Sequence, residues 1–129
     1  MEINSSSTQI SQPIGAIFSR LSSPENYKEL MPEGATFSVE ENDSFRFKLG
    51  GMPELSLRIK ECIAPDTIIL ASSGGKVEFE LIGLLEAINE NQTQVQLQFK
   101  GNLNPMMAMM VKKPLTQFLE VLIGNMHKL

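Results

Sequence analysis

The spacing of apolar residues changes twice along the chain. Residues 2–11 read EINSSSTQIS, mostly polar and poorly alternating, which predicts an edge strand or a strand with an exposed face. Ile14, Ile17, Phe18 and Leu21 then recur at intervals of three and four, one stripe of a helix. Pro13 suits its first turn, with Ser11 or Gln12 near the cap. Ser22 and Ser23 end it. Pro24 starts a second short helix, capped by Ser23, that carries Glu25 and Glu29 and turns Tyr27, Leu30 and Met31 inward. Pro32 and Gly34 break it.

From Thr36 the period is two. Phe37 and Val39 alternate with Ser38 and Glu40, and Asn42 and Asp43 make a turn. Phe45, Phe47 and Leu49 alternate with Arg46 and Lys48, the pattern of a half-buried strand. Gly50, Gly51, Met52 and Pro53 lead to Leu55, Leu57 and Ile59, which alternate with Ser56, Arg58 and Lys60. Pro65 and Asp66 turn the chain into a short strand over residues 67–73, closed at Gly74-Gly75. In residues 77–88, Val77, Phe79, Leu81, Gly83 and Leu85 share a face opposite Glu78 and Glu80. Ile82, Leu84 and Ile88 then fall on that outer face, which calls for a bend, a bulge near Gly83, or cover on both sides. Residues 93–103 alternate most cleanly, with Val95, Leu97, Phe99 and Leu103 against Gln94, Gln96, Gln98 and Lys100.

The second change comes at Asn104, a cap with Pro105 behind it. Met107, Met110, Val111, Leu115, Phe118, Leu122 and Met126 make a helical stripe to about residue 128, with Lys112, Lys113, Thr116, Gln117, Glu120 and Lys128 opposite. Pro114 lies inside this helix, removes a backbone donor and should bend it.

Composition narrows the function classes. A chain of 129 residues, 42% hydrophobic and 20% charged, can build one core without staples, and no repeat or linker divides it, so residues 1–129 read as a single domain. A net charge of −4 argues against nucleic acid as a partner and weakly against anionic membranes. The N-terminus lacks the basic start and apolar run of a signal peptide, and no apolar stretch is long enough to span a bilayer, so no stable membrane insertion is expected. Cys62, the one cysteine, cannot form an internal disulfide, which fits a reducing, cytoplasmic setting.

The chemistry-bearing residues form no catalytic set. His127 is the one histidine and suits the C-terminal end of a helix dipole. One histidine and one cysteine make no metal site, and no cofactor motif is present. Cys62 lies in a strand and reads as buried apolar filler rather than a nucleophile. Ser5, Ser6 and Ser7 have no base and read as a polar strand or tail. Strict alternation from Leu55 points Glu61 inward, where an unpaired carboxylate is costly, so a bulge that turns it out is expected. The glycine pairs are hairpin chemistry, since no lysine and serine open a helix behind them.

The helical entry QPIGAIFSRLSSPENYKELMP, the paired long strands and the closing NPMMAMMVKKPLTQFLEVL give an order of elements that resembles the SRPBCC superfamily, the START-like and polyketide cyclase/dehydrase-like helix-grip proteins. The resemblance implies an α+β fold, a curved antiparallel sheet wrapped around a long C-terminal helix, with an apolar cavity between them. It supplies no shared catalytic residues. The expected walls are Phe45, Phe47, Leu57, Ile59, Phe79, Leu81, Val95, Leu97 and Phe99, and the expected lid is Met107, Met110, Val111, Leu115 and Phe118. A small-molecule site would need about 300 Å³ or more. The expected function is binding of a small hydrophobic molecule, lipid- or polyketide-like, without chemistry. One alternative is a cyclase/dehydratase-type enzyme. Another is a protein-interaction module or homodimer that uses Met106 and Met109 at the methionine-rich helix start.

Overall fold

Period-two runs separated by turn residues pair with their neighbours in sequence, and that rule generates most of this fold. The computed structural model describes residues 1–41, 43–48, 54–73 and 78–129. The expectations for Asn42, Leu49, residues 50–53, Gly74-Gly75 and Val77 lie outside the described residues.

The strands are β1 (Glu2–Ile10), β2 (Thr36–Glu40), β3 (Ser44–Lys48), β4 (Leu55–Ile63), β5 (Thr67–Ser72), β6 (Phe79–Asn89) and β7 (Gln92–Gly101). They form one antiparallel sheet in the order β1-β7-β6-β5-β4-β3-β2. Helix α1 (Ile14–Leu21) and a 3-10 helix over Pro24–Leu30 connect β1 to β2. Helix α2 (Pro105–Asn125) follows β7 and ends in a short 3-10 turn, Met126–Lys128. This is the curved antiparallel sheet with a long C-terminal helix that the sequence pattern implies.

Several local expectations change. The helix after Pro24 is a 3-10 helix, and the Ser23 side chain makes no cap bond. Pro13 itself is the N-cap of α1, while Gln12 Nε2 donates to the carbonyl of Leu129, 2.6 Å away. Thr93 Oγ1 donates to the Gln12 carbonyl, so the entry to α1 is tied to both β7 and the C-terminus. The last strand stops at Gly101, leaving Leu103 half-buried in the link to α2. Asn104 caps α2 as expected, its side chain accepting from the Met107 N–H at 2.8 Å, and the helix runs unbroken through Pro114.

The polar first strand is an edge strand with a purpose for its serines. Its register with β7 shifts between Asn4 and Ser7. Within that bulge the buried Ser5 hydroxyl accepts the Leu97 N–H at 2.9 Å, standing in for a ladder carbonyl. The next residue, Ser6, donates its N–H and its hydroxyl to Glu120 of α2 at 3.1 and 2.9 Å. A side chain from the helix thus satisfies part of the open edge, which blunts pairing with another strand.

The bulge expected to turn Glu61 outward is present: the β4–β5 register shifts between Ile59 and Glu61, and Glu61 is exposed. No bulge interrupts β6 at Gly83, because its pairing with β7 is continuous from Phe79 to Ala87. Ile82 is half-buried, and Leu84 and Ile88 are exposed on the outer face. Cys62 is exposed, not buried. The cause is strand length. β3 reaches only as far as Ser44 opposite Arg58, so the last residues of β4 pair with β5 alone and lack a neighbour on their other side.

Candidate ligand-binding site

The inner face of the sheet is lined by alternate residues, and seven aromatic side chains organise it into two groups. Phe45 stacks on Tyr27, Phe37 and Phe47, and Phe47 stacks on Phe118 of α2 with centroids 5.1 Å apart. On the other flank Phe79 stacks on Phe99 at 5.3 Å. β3 and β6 are three strand spacings apart, roughly 14 Å along the sheet. Leu57 of β4, Leu70 of β5 and Leu81 of β6 make the floor between the groups.

Nine of the expected wall and lid residues are buried: Phe45, Phe47, Leu57, Leu81, Val95, Leu97, Phe99, Leu115 and Phe118. Ile59, Phe79, Met107 and Val111 are half-buried. Met110 is a correction: it is 71% exposed and faces away from the sheet. At 100° per residue the inward sector of α2 is centred on Val111, Leu115, Phe118 and Leu122, and Met110 lies about 110° off that axis. A stripe that takes in Met107, Met110 and Val111 together is wider than the face α2 buries. Met106 and Met109 are exposed as well, at 74% and 83%.

The inside has a closed end and an open end. At the closed end α1, the 3-10 helix and the C-terminal turn cover the sheet. Leu21, Tyr27, Leu30, Gly83, Leu97, Leu122 and Met126 there surround an enclosed space of about 10 Å³. That is at or below the room one water needs, and far short of the roughly 300 Å³ expected of an apolar cavity between sheet and helix, so the side chains of Leu70, Leu81, Leu97 and Leu122 fill this space themselves. Tyr27 is buried in it, and its hydroxyl donates to the Leu21 carbonyl at 2.7 Å. Burial, with a smaller contribution from nearby Cys62, pushes the phenol pKa well above its ordinary value. The pattern put Tyr27, Leu21 and Leu30 on inward stripes, but gave no sign that the short helices, rather than α2 alone, would close this end.

At the other end β3, β5 and β7 finish, β4 and β6 begin, and α2 starts. Phe37, Leu55, Phe79, Leu103 and Val111 are half-buried against the core there. The glycines that interrupt the inner row do not leave open room. A Cβ on Gly101 would stand 2.9 Å from the Phe99 ring and 3.3 Å from Phe79 Cβ, so the ring already fills that space. A Cβ on Gly83 would meet Leu97 at 3.9 Å. Two other depressions are open surface grooves. One of about 700 Å³ has Arg58, Lys60, Glu78, Glu80 and Lys100 in its lining, and one of about 640 Å³ lies beside residues 89–92. Lys60 and Glu80 pair across the first at 2.7 Å.

Polar chemistry inside is sparse. Among the described residues no buried side-chain nitrogen or oxygen lacks a partner, and no group of histidine, cysteine, aspartate and glutamate could hold a metal ion. His127 is exposed at the chain end, its Nδ1 2.8 Å from the Gly124 carbonyl. Among the same residues no helix is long and apolar enough to cross a membrane.

No family model matches the chain, and no curated protein matches it by sequence. Solved structures do match in shape. A START superfamily protein from Mycobacterium smegmatis aligns over 98% of this chain and 97% of its own, with a TM-score of 0.65 and 14% identity. Norcoclaurine synthase from Thalictrum flavum, solved with dopamine and hydroxybenzaldehyde, aligns over 99% of this chain and 84% of its own, with a TM-score of 0.72 and 13% identity. The di-domain ARO/CYC BexL from the BE-7585A biosynthetic pathway aligns over 97% of this chain and 46% of its own, with a TM-score of 0.65 and 13% identity. The chain therefore has the START-like helix-grip fold of the SRPBCC proteins. At these identities the likeness is one of fold, and the site must carry the argument for function.

Proposed function

We propose that the protein binds a small hydrophobic molecule, lipid- or polyketide-like, in a slot that would open between the two aromatic groups, beneath the first half of α2, and without chemistry. The observation that carries this reading is the gradient of packing along the inside. The closed end is solid, whereas the apolar side chains at the open end, Leu55, Phe79, Met107 and Val111, are only half-buried. Apolar surface left partly wet gains about 25 cal/mol per Å² when a ligand covers it. Methionine is suited to such a wall because its unbranched side chain re-packs readily. With so little enclosed room, entry requires Met107, Val111 or the first half of α2 to shift.

Among the described residues lining the inner space, one polar side chain is available to the enzyme alternative. Tyr27 is the polar side chain at the inner space, and its hydroxyl is engaged by a backbone carbonyl.

The test is titration with a naphthalene-type fluorescent probe, with Val111→Trp as the blocking variant. Val111 is half-buried at the roof, so tryptophan fills the slot without overpacking the closed end as a change at Leu97 would. The wild-type chain should bind the probe, and the folded variant, checked by circular dichroism, should not. No binding by the wild type, or binding that survives in Val111→Trp, sinks the reading.

A further inference from the structure

The first half of α2 is apolar on both sides. Val111 packs against the core and Met107 is half-buried, while Met106, Met109 and Met110 are 74%, 83% and 71% exposed. At 100° per residue these three share one sector with Lys113, and Lys112 lies about 60° beyond it on the Met109 side. Both lysines are exposed. Charge along the chain is uneven around this point. The whole chain carries a net −4, yet residues 91–119 hold Lys100, Lys112 and Lys113 and no aspartate or glutamate.

From this arrangement we propose that the Met106-Met109-Met110 ridge with Lys112 and Lys113 docks the protein, peripherally and reversibly, on an anionic lipid surface. Flexible apolar side chains beside cations, on a short helical ridge, are what the headgroup boundary accepts: methionines enter the acyl edge and lysines stay at the phosphates. A second copy fits less well. A twofold contact centred on the methionines would set two lysine pairs together, while the carboxylate on the same face, Glu120 two turns further on, is already engaged by the Ser6 N–H and hydroxyl, so the like charges repel. One ridge of three side chains also offers far less than the roughly 800 Å² per partner that a stable protein interface buries. The ridge adjoins the open end of the slot, so docking would bring that end to the lipid. The inference stands apart from the ligand reading. A chain that binds probe but not vesicles defeats only the docking, and one that binds vesicles but not probe defeats only the slot.

The experiment is co-sedimentation of the full chain with vesicles of phosphatidylcholine alone and of phosphatidylcholine with phosphatidylglycerol. Binding should be selective for the anionic vesicles and should weaken as salt is raised. Each lysine contributes about 1 kcal/mol near such a surface, so Lys112→Ala should lower the partition coefficient about fivefold and the double change with Lys113→Ala about thirtyfold. Replacing the three methionines by serine should abolish binding while the melting temperature holds, because none of the three is buried. Sedimentation no greater with anionic than with neutral vesicles, or binding unchanged by the serine variant, would overturn the proposal. So would a methionine-dependent dimer in vesicle-free solution.

Discussion

The two halves of α2 share one helix, one periodicity and one abundance of apolar residues, yet only one half builds the core. After Pro114, Leu115, Phe118, Leu119, Leu122 and Ile123 are all buried. Before it no side chain is buried, and three of four methionines are strongly exposed. The second half is covered on several sides: Phe118 rests on Phe47, Glu120 reaches the β1 bulge, and Asn125 donates to the Leu30 carbonyl at 3.0 Å. The first half has the cap bond from Asn104 and half-buried contacts at Met107 and Val111. Helical amphipathicity states which residues can face a partner. Whether a partner is there depends on elements far away in sequence, here β1, β3 and the Pro24–Leu30 helix.

The sharpest way to break this contrast is Phe118→Ala. It removes a buried ring stacked on Phe47 and should cost about 3–5 kcal/mol in chemical denaturation. A loss below about 1 kcal/mol would mean the second half is not the anchor described.

Gly101→Ala probes the open end. The new Cβ would displace the Phe99 ring from its place against Phe79, and overpacking of that kind costs about 1–3 kcal/mol. It should also raise probe affinity or abolish it, by moving a wall of the slot. An alanine variant as stable as wild type, with unchanged probe binding, would show that the Phe79–Phe99 pair is not a wall.

Tyr27→Phe probes the closed end. It leaves the Leu21 carbonyl without its buried donor and should cost about 1–2 kcal/mol near neutral pH. The sign of its pH dependence is fixed by burial. The native phenol pKa is raised, so the unfolded chain ionises first, and stability should fall as pH rises above about 10. Tyr27 is the one tyrosine and tryptophan is absent, so tyrosinate absorbance reports this residue alone. It should appear together with loss of structure. Tyrosinate formed at ordinary alkaline pH in a chain that stays folded would refute the packed closed end.

Met106→Ala and Met109→Ala should have the smallest effect, within about 0.5 kcal/mol, because each removes an exposed side chain from a helix that alanine favours. A cost approaching that of Phe118→Ala would erase the difference between the halves.

The order of elements was legible because it depends on local periods. Runs of Phe45 and Phe47, Leu55 and Leu57, or Val95, Leu97 and Phe99 alternate because a strand has two faces, and the Asn104-Pro105 start marks α2 by its capping chemistry. The bulge at Glu61 could be anticipated for a similar reason, since a buried lone carboxylate is too costly to keep. The polarity of β1 likewise marked an edge before any pairing was known.

Tertiary structure alone decided what depends on the ends and neighbours of those elements. Cys62 is exposed because β3 is shorter than β4, a matter of pairing that no window around residue 62 contains. Met110 turns outward because the axis of the inward sector is set by what α2 lies on, not by how many apolar residues it has. Gly101 makes room for the Phe99 ring rather than for a ligand, and the closed end is solid because α1, the 3-10 helix and the C-terminal turn converge there. Local sequence sets the period of a face. Free volume and exposure are sums over side chains brought together from distant parts of the chain, so they exist only once the sheet has curved around the helix.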